Sequence, residues 1–190
     1  MNPRQTPSQT VGPFFGPSLI APGGANLVTA ETRGQPLIVT GRIVDGDGAA
    51  IADAMVEIWQ ANAAGRYDHP EDTQEKLLDP HFHGFGRTAT DPDGRYRFRT
   101  IRPGALPGPR MALQAPHINV SIFARGLLNR LVTRIYFPGE PLNASDPLLA
   151  AIDPARRATL IARAVGQTPE IELRFDIVLQ GENETVFLEV

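Results

Sequence analysis

A mainly β fold, a β-sandwich with one or two short helices and an extended N-terminal arm, is what this chain predicts. Three observations carry it. Short segments rich in Val, Ile, Thr and aromatic residues recur along the chain. Turn signals, Asp45-Gly46-Asp47-Gly48 and Asp91-Pro92-Asp93-Gly94, punctuate them. Helix formers gather in one stretch only, after Asp153. This spacing of strands and turns is that of a sandwich.

Residues 1–36 are rich in Pro, Gly, Thr and Gln and show neither a helical nor a strand period. Val11-Gly12-Pro13-Phe14-Phe15 is too apolar for a solvated tail, so this arm packs on its own domain or reaches a neighbouring chain. Residues 37–190 read as the sandwich. Leu37 to Val44 is a strand ending at the first turn. From Ala54 to Gln60 the residues alternate: Ala54, Val56 and Ile58 face one way, Met55, Glu57 and Trp59 the other. Gly86 to Thr90 and Arg95 to Thr100 flank the second turn as a hairpin would. His117 to Ala124 and Leu131 to Phe137 are two further strands, and Glu170 to Gln180 and Glu184 to Val190 close the chain as two more. The clear helix is Ala155 to Ala164, with Asp153 as N-cap and Pro154 at its first position, and a shorter helical turn begins near Ser145.

Composition narrows the function. The chain has 190 residues, 42% hydrophobic and 21% charged, which fits one globular domain with a sizeable core. A net charge of -3 with no basic stripe gives no support to nucleic-acid binding. No cysteine is present, which excludes disulfides, thiolate metal sites and thiol catalysis. There is no basic-then-apolar leader and no apolar run of the ~18 residues a span needs, so a cytoplasmic protein is expected. Lys76 is the single lysine.

The histidines are His69, His81, His83 and His117. His81-Phe82-His83 has a ligand-like spacing but lies in a loop, where solvated side chains are expected. His117-Ile118-Asn119 sits on a strand, where residues i and i+2 share a face, so both side chains point to one place. A buried tyrosine with a partnered hydroxyl, and a satisfied core histidine, account for Tyr67 and His117 without any metal.

The segment Val56-Glu57-Ile58-Trp59-Gln60-Ala61-Asn62-Ala63-Ala64-Gly65-Arg66-Tyr67 resembles the intradiol ring-cleaving dioxygenases. Gly41 to Asp45, Gly84 to Thr90, Arg95 to Gly104 and Ala115 to Gly126 continue the resemblance, which covers most of the chain. It implies a ferric ion held by two tyrosines and a His-x-His pair. Tyr67 and His117 match two of these positions, Leu106 falls at the second tyrosine and Asn119 at the second histidine. Ferric iron prefers anionic oxygen donors with imidazoles beside them, which Leu106 and Asn119 do not supply. Two neighbouring positions also depart from the pattern: Gln114 stands for an arginine and Arg134 for a glutamine. These losses, Thr6 to Phe14 and the close from Arg174 to Phe187 resemble the metal-free chains of the family's two-chain members.

The resemblance therefore implies a subunit without metal, with Fe(III) held by a partner chain that cleaves a catechol with O2. It implies that Thr10, Gly12 and Pro13 wall the substrate cavity and that Arg134 meets a substrate carboxylate. Two alternatives remain open from the sequence. Gly41 to Asp45 with Asp93-Gly94-Arg95-Tyr96 is also similar to non-enzymatic transthyretin-like binding modules, and a self-sufficient dioxygenase with a remodelled metal site is the third.

Overall fold

The computed structural model describes residues 12, 18–109, 112–166 and 170–189. Eleven strands are described: β1 (Pro36–Val44), β2 (Met55–Trp59), β3 (Phe85–Ala89), β4 (Arg95–Ile101), β5 (Leu106–Pro107), β6 (Leu113–Gln114), β7 (His117–Phe123), β8 (Leu131–Tyr136), β9 (Arg163–Gly166), β10 (Ile171–Arg174) and β11 (Ile177–Val178). A single short α-helix, α1 (Pro147–Ala151), is described with them. In one sheet β1 takes β4 antiparallel and β10 and β11 parallel, and β9 pairs antiparallel with β10. The other sheet runs β3-β2-β7-β8, all antiparallel. A two-stranded ribbon, β5 with β6, stands apart.

Strand alternation builds the core. Leu37, Val39 and Ile43 of β1 with Tyr96 and Phe98 of β4 meet Val56 and Ile58 of β2 and Ile118, Val120 and Ile122 of β7. Between the sheets Gly41 admits the chain crossing beside it: a Cβ there would lie 1.9 Å from the Phe175 carbonyl oxygen. That carbonyl accepts the Tyr96 hydroxyl at 2.6 Å. The stretch after Ser18 docks on this domain, with Arg87 N donating to Gly24 O, and Leu27 N and Arg99 O joined at 2.9 Å. No described helix is long and apolar enough to cross a membrane.

Four expectations are corrected. The helix expected from Ala155 to Ala164 is absent. Asp153 does cap a turn, accepting from Ala155 N at 2.9 Å, but only a 3-10 turn over Arg157–Leu160 follows. Leu160 and Ala162 must both enter the core, Ala162 N donates to Tyr136 O, and Arg163–Gly166 completes the sheet beside β10. Sheet pairing outweighs local propensity here. The helix that forms is the shorter one: Asp146 accepts from Leu148 N and Leu149 N, with Pro147 at the first position.

The expected closing strand Glu184 to Val190 makes no ladder over its described residues. Thr185 N bonds Val178 O, Val186 N bonds Thr159 Oγ1 and Leu188 N bonds Val132 O, three different elements. The strand expected from Glu170 to Gln180 divides at Phe175–Asp176, where Asp176 Oδ1 takes Arg42 N in place of a ladder bond. The Asp91–Gly94 turn forms, with Gly94 at φ 74°, but it carries the chain from one sheet to the other and is not a hairpin.

Candidate functional site

The site lies on the outer face of the β3-β2-β7-β8 sheet, opposite the core. Cross-strand register places Trp59 opposite Asn119, and Asn119 opposite Arg134, so one row runs across three strands. One row along, His117 stands opposite Tyr136. The alternation of β7 sends Ile118, Val120 and Ile122 to the core and His117 and Asn119 to this face. A cleft of about 490 Å³ opens over the row, lined among others by Trp59, Tyr67, Leu106, Gln114, His117 and Arg134.

Tyr67 arrives on a loop that its own side chains fold. Buried Asn62 accepts Ala64 N and Arg66 N and donates to Leu77 O at 2.8 Å. Asp72 accepts Tyr67 N at 2.7 Å. Gly65, at φ 79°, sits where a Cβ would lie 2.1 Å from Ala105 O, and one on Gly104 would lie 2.5 Å from Gly65 N. The two loops bearing Tyr67 and Leu106 thus meet glycine to glycine. Lys76 ties them, donating to Gly65 O at 3.2 Å and Ala105 O at 2.8 Å. The Tyr67 ring stacks on Trp59 with centroids 5.4 Å apart and planes 17° from parallel.

Hydrogen bonds complete the network. Asn119 Nδ2 donates to the Tyr67 hydroxyl at 3.0 Å, and Asn119 Oδ1 accepts Arg134 Nε at 2.9 Å. Arg134 Nη1 donates to Gln114 Oε1 at 2.8 Å, and Gln114 Nε2 donates to Pro107 O. Burial raises the Tyr67 pKa, the Asn119 bond and the Arg134 charge opposing, so Tyr67 remains a phenol.

His117 is 1% exposed. Its Nδ1 lies 2.7 Å from Ala115 O, which can only accept, so Nδ1 carries the proton. Nε2 then bears a lone pair with no partner among the described residues. Burial, then the Arg134 charge, push the His117 pKa down to about 4, so the ring is neutral at pH 7.

These residues do not fit a ferric ion. Leu106 is buried and brings no donor atom. Asn119 is a neutral amide whose two ends are engaged by Tyr67 and Arg134. A guanidinium lies inside the polar cluster, where it opposes a cation. Among the described residues no group of three or more His, Asp or Glu could hold a metal. His81 and His83 are exposed on either side of buried Phe82, with His83 Nδ1 2.6 Å from Asp68. His69 reaches the rim of the cleft. Of the arm, Gly12 is exposed, and a Cβ on it would meet nothing within 4 Å among the described residues. Thr10 and Pro13 lie outside the described residues.

Sequence reasoning did not pick out Trp59 as a wall, nor Asp72 and Lys76 as the fixtures of the Tyr67 loop. Trp59 was within reach, because its alternation already set it on the outer face. Lys76 had no signal beyond being the single lysine.

A family model described as Dioxygenase matches residues 11–181. Protocatechuate 3,4-dioxygenase alpha chain of Burkholderia cepacia is 38% identical over 203 residues, 98% of each chain. The beta chain from the same organism is 45% identical over 161 residues, 82% of this chain and 68% of that one. The dioxygenase domain of a dioxygenase carbohydrate-binding fusion from Streptomyces sp. SirexAA-E superposes with TM-score 0.66 at 34% identity, covering 94% of this chain and 100% of that one. The chain belongs to the intradiol dioxygenase family. It is an oxygenase or a subunit of one, and within the family its full-length likeness is to an alpha chain. A non-enzymatic module is not favoured by these matches.

Proposed function

We propose that this chain is the metal-free, alpha-type subunit of a protocatechuate 3,4-dioxygenase. The enzyme cleaves protocatechuate, or a related catechol, with O2 to 3-carboxy-cis,cis-muconate, a step of the beta-ketoadipate route of aromatic catabolism. The single observation that carries the reading is the pair Leu106, buried without a donor atom, and Asn119, half-buried with both ends of its amide hydrogen-bonded, at the two positions where the family pattern has metal donors. The 98% coverage of an alpha chain supports it.

On this reading Fe(III) belongs to a beta partner in a cytoplasmic hetero-oligomer and supplies the oxygen chemistry there. This chain supplies walls and charge. Residues 1–36 form the interface arm, in which Thr10, Gly12 and Pro13 shape the substrate cavity, and 37–190 form the dioxygenase-like domain. Arg134 is the cation for a substrate carboxylate, because a guanidinium meets a carboxylate through two parallel N–H bonds.

The test is iron content and visible absorption of the chain expressed alone and with an iron-bearing partner. The expected result is a colourless, iron-free chain alone, with the red-brown band of ferric tyrosinate and catechol cleavage only in the pair. Stoichiometric iron in the isolated chain would overturn the assignment.

A further inference from the structure

The other sheet carries a cleft of its own, over β1, β4 and β10, and it shares no lining residue with the cleft over β7. Its volume is about 780 Å³, the size of a small-molecule site. Strand alternation fills it with charge. β1 sends Leu37, Val39 and Ile43 to the core, so Thr40 and Arg42 point outward. Register then sets Arg97 and Arg174 on either side of Thr40, and Arg95 beside Arg42. From the spacing of strands and of alternate residues, neighbouring arginines in this array rise roughly 5–10 Å apart.

The carboxylates nearby leave this charge largely uncancelled. Arg95 pairs with Asp93 and Arg174 with Asp176, but both pairs are exposed and such pairs hold weakly. Arg42 Nε donates to the Asp93 carbonyl at 2.8 Å, a neutral acceptor, and Arg97 makes no ion pair among the described residues. Glu170, the carboxylate whose charge Arg97 feels, is bound by Arg99 at 2.6 Å. Two carboxylates line the cleft itself. Asp91 accepts Asp93 N and Arg95 N, and Glu172 accepts the Thr40 hydroxyl at 3.2 Å. Four guanidiniums therefore face two engaged carboxylates.

Like charges gathered in a concave surface focus their field on an incoming anion. Their spread selects its shape. A compact anion reaches one or two of these arginines, whereas carboxylates spaced along a chain reach three. Charge and not stacking is what the walls offer, because the aromatic lining residue, Tyr96, is buried with its hydroxyl on the Phe175 carbonyl. We propose that this cleft binds an acyclic polycarboxylate, two or three carboxylates on one aliphatic chain, through Arg42, Arg97 and Arg174. The inference does not rest on the subunit assignment, which concerns the opposite sheet.

The test is calorimetric titration of the full chain with tricarballylate, sulfate and acetate at fixed ionic strength. The expected result is saturable heat with tricarballylate, binding of sulfate at least about fivefold weaker, and none with acetate. Arg97→Gln and Arg42→Gln should each weaken tricarballylate about fivefold, with unchanged circular dichroism. Arg130→Gln, which removes an exposed arginine from the β7–β8 connection, should leave binding as it was. No saturable response to tricarballylate through the millimolar range, equal binding of sulfate, or an equal loss in Arg130→Gln overturns the proposal. The tricarballylate and sulfate pair decides it on the unmodified protein even where a variant fails to fold.

Discussion

One strand, β7, has two faces under different rules. Inward, Ile118, Val120 and Ile122 fill volume between two sheets. Outward, His117 and Asn119 serve a polar cluster joined donor to acceptor, in which His117 Nε2 alone is left without a partner among the described residues. The inner face is fixed by packing, which tolerates no lost volume. The outer face is fixed by hydrogen-bond complementarity, which can be rewritten. An amide and a guanidinium bond each other on this face while the sandwich beneath is held by apolar packing.

The largest blow to this contrast comes from the inner face. Ile118→Ala should cost about 2–5 kcal/mol in urea unfolding, because the cavity between the sheets cannot collapse. A cost no greater than that of an outward substitution would erase the contrast.

Acid should act on the outer face through His117. Its folded pKa, about 4, lies below the ordinary 6.5, so the unfolded chain binds the proton first. Stability is therefore full above about pH 6.5, falls as pH drops toward 4 and then levels, a loss of ~3 kcal/mol. In His117→Gln that part of the slope should vanish from a pH series of unfolding midpoints.

Gly104→Ala should come next, at about 1–3 kcal/mol, because its Cβ meets backbone with nowhere to move. Hydrogen exchange should show the loosening in the Tyr67 loop first. Smallest is Asn119→Ala, about 1 kcal/mol, since it removes exchangeable hydrogen bonds and leaves the core intact. Its mark should be a Trp59 emission change as the Tyr67 ring loses its tether.

Sequence patterning showed the inner face plainly. Alternation in β1, β2 and β7 follows from a period of two, and it also set His117 and Asn119 on one side. The row Trp59–Asn119–Arg134 was not legible, because it depends on the register of three strands distant in the chain. The same non-local pairing defeated the helix expected after Asp153. Its cap and its formers were real, but Leu160 and Ala162 were needed at the sheet. The polar cluster could be suspected from single residues and not assembled from them.

Lys76 fastens the Tyr67 loop to the Leu106 loop through its only side-chain amine, and no other lysine exists in the chain. An acylating reagent thus has two targets, the N-terminus and an amine that is occupied while the loops stay joined. The rate at which Lys76 becomes labelled is then a clock for the opening of the cleft, built into the chain and readable by mass.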